Sequence, residues 1–309
     1  MADADAHFRR GRRATADRVS IRGETMMFVL HPRWCLAAAF TVLAAAQGAA
    51  AQDWRTLESS RQHRSDAPAK VRVEYGAGSI ELAPTGDAVL YRMKLRYDTE
   101  RSAPIAIFDD VARSITLGMR SGGEYRWKSG HREGSTLVGA LSNRVPLDLS
   151  LELGAVRADV QLGGLKITDL VLQTGASEVK IDVNAPNSEQ LVTFDIDVGA
   201  AQVTVRRGGN LRAERIKVNV GAGSLDLDLD GAWEGDVSIS ANVAVGAFRL
   251  RTPSDVGIRV KARTFLADFK HTGFVKRGDA WYSAGYDAAV RRADVSVTAV
   301  LGGFEIIRP

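Results

Sequence analysis

Apolar and polar residues alternate one by one over much of the chain beyond residue 70. The segments Ile216–Val220 and Leu225–Leu229 are examples, each with apolar side chains at every second position. Since successive side chains of a strand point to opposite faces, this period predicts strands with one buried and one solvated face. No 12-residue window between residues 150 and 255 combines helical spacing with capping residues. The pattern therefore predicts a body that is nearly all β.

The alternating segments recur as a repeated unit in which two short runs are joined by Gly-Ala. Beyond residue 150 the glycines of this motif are 21, 24, 22 and 25 residues apart, at Gly154, Gly175, Gly199, Gly221 and Gly246. Related units lie near the two ends of the body, at Val71–Leu82 and Leu301–Ile306. Two strands of this length cannot bury their own apolar face, so neighbouring units are expected to cover one another.

These units predict an all-β, single-stranded β-solenoid of stacked coils of about 22 residues with Gly-Ala bends. A β-sandwich of hairpins is the alternative. If equivalent positions stack, opposite charges face each other in five pairs: Arg157 and Glu178, Asp159 and Lys180, Asp182 and Arg206, Arg206 and Asp228, Asp226 and Arg251. Each exposed pair contributes about 0.2–1 kcal/mol at best, so the pairs indicate register more than stability.

The N-terminal part has the layout of an export signal. Arg33 precedes an apolar run of 13 residues, Trp34–Ala46, which is followed by small residues up to Ala51. At about 1.5 Å per residue this run covers roughly 20 Å, less than a hydrocarbon layer of about 30 Å. We therefore predict cleavage after Ala51 and export to the periplasm or the extracellular face of the cell envelope. An uncleaved membrane anchor is the alternative.

Four segments follow from these patterns. Residues 1–25 are either a polar N-terminal extension or sequence upstream of a true start at Met26 or Met27, which would shorten the leader to a conventional length. The other three are a signal peptide at 26–51, an N-terminal β region with a polar glycine-rich excursion at 52–148, and a β-repeat domain at 149–309.

Composition and charge exclude several classes of protein. With 309 residues, 45% of them hydrophobic, the chain can fold, and its one cysteine, Cys35, excludes a disulfide framework and thiol-based metal clusters. The net charge of +4 divides into +3 for residues 1–51 and +1 for the rest. A near-neutral body with interspersed charges does not suit the phosphate backbone of a nucleic acid, so no nucleic-acid partner is expected.

Candidate catalytic chemistry is sparse. Three histidines remain after cleavage: His63, His131 and His271. None of them has a second metal ligand nearby at the spacing of a metal-binding motif. The densest carboxylate row, Asp226, Asp228 and Asp230, is compatible with calcium or with acid–base catalysis, but arginines stacked beside it would make it a solubilising, charge-paired face. We therefore expect no catalytic residue, no metal site and no cofactor.

Basic and aromatic residues are interspersed in one segment that interrupts the repeats, between Arg120 and Asn143. Its candidate interaction residues are Arg126, Trp127, Lys128, His131 and Arg132. A second interruption, Lys270–Arg292, carries Trp281, Tyr282 and Tyr286. Either segment could be a binding loop, and a cap or hairpin that covers the stack is the more common role for such an insertion.

The glycine and aliphatic motifs resemble those of the bacterial toast-rack proteins, a group similar to the C-terminal domain of LiaF-type cell-wall-stress proteins. The resemblance covers about residues 66–309 and rests on Pro146–Ala155, Val218–Leu227, Asp255–Val260 and Leu301–Ile306. It implies a stacked single-coil β structure with a role in envelope stress signalling or membrane-associated scaffolding. The multi-span N-terminal membrane region of the LiaF type is missing here, and the resemblance brings no catalytic residues.

These observations predict an exported, non-enzymatic β-solenoid that acts as an interaction or scaffold module of the bacterial cell envelope, with a link to envelope stress implied by the resemblance. The alternative is a carbohydrate-active or carbohydrate-binding β-helix protein that uses outward carboxylates. The expected partner is an envelope protein or a membrane surface, and self-association through the solenoid ends is a further expectation.

Overall fold

The computed structural model describes residues 53–122 and 134–308. Strands dominate this part of the chain, and its two helical segments are single 3-10 turns, Gly208–Leu211 and Tyr286–Ala288. The prediction of an all-β protein is confirmed. Within the described ranges, no helix has the length and apolar character needed to cross a membrane.

The described residues form one hydrogen-bonded sheet system of 17 strands. The strands are β1 (Trp54–Gln62), β2 (Ala69–Thr85), β3 (Val89–Asp98), β4 (Ser102–Asp109), β5 (Ser114–Ser121), β6 (Thr136–Ser142), β7 (Pro146–Gln161), β8 (Lys166–Thr174), β9 (Glu178–Asp182), β10 (Leu191–Val198), β11 (Gln202–Arg206), β12 (Ala213–Asp228), β13 (Val237–Arg251), β14 (Gly257–Lys270), β15 (Phe274–Arg277), β16 (Ala280–Ser283) and β17 (Arg292–Ile307).

Consecutive repeats pair in parallel and in register. Arg157 of β7 lies opposite Glu178 of β9, and Glu178 lies opposite Gln202 of β11, which in turn lies opposite Ser224 of β12. A sandwich of hairpins would instead pair neighbouring repeats antiparallel. The repeat spacing seen in the sequence is therefore the step from one paired strand to the next.

Each repeat contributes one segment before its glycine bend and one segment after it. The segments before the bend pair with one another in the order β2, β7, β8, β10, β12, β13, β17 and β14. Their inward side chains form columns of buried aliphatic residues, of which one runs through Leu151, Leu172, Ile196 and Val218. The period-2 pattern thus places every second residue in a continuous core.

One end of the stack is covered by the N-terminal strands. β5 and β6 pair in parallel with the two halves of β2, and the antiparallel strands β4 and β3 continue from them. β1 then pairs antiparallel with β3. The edge of β2 is therefore shielded by strands that are not part of the repeat array.

Chain order breaks down at the other end of the stack. β17 lies between β13 and β14 and pairs in parallel with both, so the last strand in the sequence is inserted into the stack. β14 is itself a full turn of the array, with Leu266 and Ala267 opposite Leu301 and Gly302. Because β14 lacks Gly-Ala at its bend, the sequence motif did not identify it as a repeat.

The charge pairs inferred from stacking are in register in the first part of the array. Arg157 and Glu178 lie opposite each other and form an ion pair of 3.2 Å. Asp159 lies opposite Lys180, and Asp182 opposite Arg206. The ion-pair partner of Asp182 is nevertheless the next residue, Arg207, at 2.5 Å.

Of the last two charge pairs, one was wrong and the other lies just beyond the paired residues. Pairing of β11 with β12 ends at Val205 and Leu227, one residue before Arg206 and Asp228. Asp226 lies opposite Arg249 rather than Arg251, and the two side chains form an ion pair of 3.0 Å. The reason is that Gly246 lies opposite Gly223 and not Gly221, which shifts the register by two residues.

One carboxylate pair in the array is unfavourable. Asp169 of β8 lies opposite Asp148 of β7. Burial raises the pKa of Asp169 above its ordinary value of 3.8, the charge of Asp148 raises it further, and Arg215 opposes the shift. Because a raised pKa means that the folded state binds the proton more tightly than the unfolded state, stability falls as the pH rises from about 3.8 through the folded pKa.

We therefore expect Asp169→Asn to increase the free energy of unfolding at pH 7 by about 0.5 kcal/mol, a small effect because the group is partly solvated. The gain should vanish at pH 3, where the acid is protonated in both states. Urea unfolding at the two pH values measures it. Asp195→Asn, next to Lys217 on the neighbouring strand, should give no gain. A gain of equal size at pH 3 would contradict the electrostatic explanation.

Candidate functional site at the open end of the stack

The exposed bends of the stacked strands change character along the stack. In the earlier repeats the two bend residues are Gly-Ala, as in Gly221-Ala222. Ala222 lies opposite Val245, which lies opposite Leu301, and Leu301 lies opposite Leu266. The last three bends therefore carry the pairs Ala244-Val245, Val300-Leu301 and Phe265-Leu266.

These larger bend residues are exposed to solvent. Val245, Val300 and Leu301 are 48%, 49% and 45% exposed, and Phe265 and Leu266 are 80% and 65% exposed. We call these five residues the bend patch. Large apolar side chains that cluster on a surface mark interaction sites more often than single exposed ones do.

Two residues of the bend patch, Phe265 and Leu266, lie on a strand with an open edge. β14 pairs with β17 over its whole length, whereas on its other side Arg259 and Val260 pair with Tyr282 and Trp281 of β16. Beyond Val260, no strand within the described ranges covers that edge of β14. Free N–H and C=O groups on an edge invite association with another chain or surface.

The segment from β14 to β16 is basic. Residues 257–283 contain six Lys and Arg and two Asp, a formal charge of +4. Three of the basic side chains form ion pairs: Arg259 with Asp294 at 2.6 Å, Lys261 with Asp279 at 2.8 Å and Arg277 with Asp287 at 2.8 Å. Arg263 and Lys270 make no ion pair with any described residue. Acids and bases are thus interspersed at this end of the stack, with a positive excess on β14.

A column of stacked aromatic rings supports the bend patch from inside. Phe304 of β17 stacks on Phe248 of β13 and on Phe269 of β14, with ring centroids 5.3 and 5.2 Å away. The ring of Trp281 meets Phe269 edge-on at 6.1 Å. Such packing fixes the backbone of the last strands, so the exposed residues sit on a rigid base.

A separate feature, an open groove of about 880 Å³, runs along the glycine bends of the earlier repeats. Two of its three acidic residues, Glu74 and Glu152, are both held by Arg72, at 3.2 and 2.6 Å. Arg120 adds a further ion pair of 3.1 Å to Glu74. These carboxylates are part of an ion-pair network within the protein, which gives the groove a structural explanation.

The polar row of this groove continues along the stack with amide side chains. Asn219 donates a hydrogen bond of 2.7 Å to Asp197, and Asn242 donates one of 3.0 Å to Asn219. Since these residues lie opposite one another in register, the row is a cross-strand ladder.

The carboxylate row identified in the sequence is also engaged within the protein. Asp226 pairs with Arg249, and this hydrogen bond raises the pKa of the guanidinium. Asp228 accepts a hydrogen bond of 3.0 Å from the backbone N–H of Asp230, which itself accepts one from Gly231. The arrangement resembles a charge-paired strand face and shows no two free carboxylates that converge on a substrate.

The two histidines in the described part of the chain, His63 and His271, lie apart from each other. His63 contacts Asp66 at 3.0 Å, and His271 packs on Trp281 and Phe269. No group of three or more metal-ligating side chains forms among the described residues.

The candidate loop lies outside the described residues. It comprises Arg126, Trp127, Lys128, His131 and Arg132. The second interruption, Lys270–Arg292, contains the antiparallel hairpin of β15 and β16, as the hairpin interpretation expected.

Sequence comparison identifies the family of this chain. Residues 51–206 match the family described as the N-terminal domain of toast_rack, DUF2154. The chain belongs to the toast-rack family. The matched residues of this toast-rack chain span β1 to β11, so the bend patch lies beyond them. No curated protein matches the sequence.

Several solved structures share features of this toast-rack chain at low identity. They include a candidate cell adhesion protein from Clostridium sporogenes, with 15% identity, a TM-score of 0.40 and coverage of 82% of this chain and all of that one. Two candidate adhesins, from Bacteroides fragilis and Parabacteroides merdae, have 11% and 10% identity and TM-scores of 0.39 and 0.34. Each covers 82% of this chain and is itself covered to 97% and 96%.

The bend patch of this toast-rack chain was not identified from the sequence. Its residues do not share a motif, and two of the three bends, at Val245 and Leu301, lie beside glycines that were assigned to the repeat. The third, Phe265-Leu266, lies on the strand that the glycine search missed. A usable signal would have been consecutive apolar residues in an alternating strand, which place one large side chain on the polar face.

Proposed function

We propose that this protein is an exported, non-enzymatic interaction module of the bacterial cell envelope. In this proposal the parallel stack is a single-stranded β-solenoid that serves as a rigid scaffold, and the bend patch is its docking surface. An envelope stress role, implied by the resemblance to LiaF-type proteins, is a further prediction within this proposal.

The observation that carries the proposal is the difference between the two ends of the stack. The end at β2 continues through the parallel strands β5 and β6 into the antiparallel strands β3 and β4, whereas β14 exposes both an open edge and the large apolar residues Phe265 and Leu266. Keeping such residues in water costs free energy that a polar bend would avoid, and contact with a partner recovers it. The proposal explains why one end differs from the other.

The outward carboxylates support an interaction module over a carbohydrate-active enzyme. Asp226 is neutralised by Arg249, and Glu74 and Glu152 share Arg72. A glycosidase needs two carboxyl groups that are free to face the same bond. These three acids are instead paired with arginines of the stack in which they lie.

Photo-crosslinking in host cells tests the proposal. A photo-crosslinking amino acid is introduced in place of Phe265 of the full chain, the cells are fractionated, and adducts are identified by mass spectrometry. We expect the protein outside the cytoplasm and an adduct with an envelope component, either protein or lipid.

The matched control carries the same crosslinker in place of Val111, which is 97% exposed in the turn between β4 and β5 at the other end of the stack. Position 111 should give no such adduct. A cytoplasmic protein, or equal adducts from the two positions, would show that the module is not exported or that the bend patch is not its docking surface.

A further inference from the structure

We infer that the partner of the bend patch is an anionic lipid membrane surface, on which the end of the stack rests through Phe265 and Leu266. This inference rests on the proposed function and names the partner of its docking surface. It draws on two independent features of the same strand, the exposed apolar bend and the basic side chains beside it.

The shape of the bend patch suits the boundary between lipid headgroups and acyl chains. Phe265 and Leu266 are the most exposed of its residues and stand next to each other where β14 bends. Val300 and Leu301 lie beside them on β17, and Val245 follows on β13. A convex row of large apolar side chains can enter the interface without unfolding, because its backbone is already paired along β17.

Charge favours an anionic surface. Arg263 lies two residues before Phe265 and therefore points to the same face of the strand, and it has no ion-pair partner among the described residues. Lys270 follows the bend on the same edge and is likewise without one. The formal charge of residues 257–283 is +4, and it is +2 when Asp294 and Asp287, which pair with Arg259 and Arg277, are included. This positive excess provides attraction to acidic headgroups, and the attraction falls with salt.

A second copy of the chain is a less suitable partner. Pairing two β14 edges would bring two basic segments together, and like charges across an edge are destabilising. Basic residues on an edge strand also protect against aggregation, yet this role does not explain Phe265 and Leu266, which a protected edge would replace with polar residues. A nucleic acid would contact the basic side chains and leave the apolar bend patch exposed to water.

Vesicle flotation tests the inference. The protein is expressed from the full chain in its host and purified in the form that the host produces. The vesicles are phosphatidylcholine alone or a mixture with phosphatidylglycerol. We expect binding to the mixed vesicles that weakens with added salt. The double variant Phe265→Ser/Leu266→Ser should bind at least tenfold more weakly, since two large apolar contacts are lost. Arg263→Ser/Lys270→Ser should weaken binding to the anionic vesicles about tenfold or more at low salt.

The matched control is Ile107→Ser/Val111→Ser at the other end of the stack, where the side chains are 61% and 97% exposed. It should bind like the wild type, and circular dichroism should show that all variants are folded. Any leader that remains is common to every variant, so a difference between them reports the bend patch.

Three results would overturn the inference: no flotation of the wild type, flotation that the change at residues 265 and 266 leaves intact, or a concentration-dependent dimer that the same change abolishes in the absence of lipid. The experiments distinguish failure of the proposed function from failure of the lipid inference. A protein adduct from position 265 without vesicle binding would leave the module standing and exclude the lipid surface. Retention on DNA rather than on vesicles would point to the nucleic-acid alternative.

Discussion

Gly246→Ala is expected to destabilise the protein by about 3 kcal/mol or more, and to lower the Tm by roughly 10 °C. Gly246 has a φ of +142°, which L-residues rarely adopt. An added Cβ would lie 1.9 Å from the carbonyl oxygen of Gly223 on the preceding strand. Backbone oxygen cannot move aside without breaking the parallel ladder, so strain and overlap add together.

Thermal unfolding followed by circular dichroism, together with urea titration, measures this change. The control is Gly86→Ala, whose new Cβ would meet its nearest neighbour, the side-chain nitrogen of Asn143, at 3.9 Å. It should change the free energy of unfolding by no more than about 0.5 kcal/mol. If the two alanine variants were equally stable, the close approach of successive bends would not hold the stack together.

Phe304→Ala is expected to cost about 3–5 kcal/mol of stability, the usual loss when a fully buried aromatic side chain is removed. Phe304 is 1% exposed and stacks between Phe248 and Phe269. Its removal leaves a cavity between the rings of Phe248 and Phe269. The two rings cannot close this gap, because hydrogen bonds hold the strands on both sides in place.

The matched control for this change is Phe265→Ala on the adjacent strand. Phe265 is 80% exposed, so its removal should alter stability by at most about 0.5 kcal/mol. Urea unfolding of both variants gives the comparison. A large loss in Phe265→Ala would mean that this side chain is part of the core, and the bend patch would then lose its role as a docking surface.

Much of the fold followed from local pattern. The alternation in Leu225–Leu229 and the spacing of Gly154, Gly175 and Gly199 indicated strands, repeats and stacking, and parallel in-register pairing was observed. This succeeded because each buried column draws one residue from every repeat, so the sequence must return to an apolar residue at the same phase.

The register of the last repeats did not follow from the motif. Gly221 and Gly223 are both candidates to lie opposite Gly246, and counting from Gly-Ala chose the first. In the structure the second lies opposite Gly246, where a Cβ added to Gly246 would meet the carbonyl oxygen of Gly223 at 1.9 Å. Two glycines in one bend leave a two-residue ambiguity that preserves the alternation, so packing decides it.

The sequence by itself determined the all-β class, the repeat step and the family, because each depends on residues that are close in the chain or recur at a regular spacing. The tertiary structure alone decided that β17 inserts between β13 and β14, which leaves β14 as an open edge with Phe265 and Leu266 exposed. Strand order depends on which strand edges form hydrogen bonds with each other. Segments that are distant in the chain compete for the same edge, so the order cannot be read from local sequence. The candidate site arises from that order, since its five residues come from three strands that only the completed stack brings together.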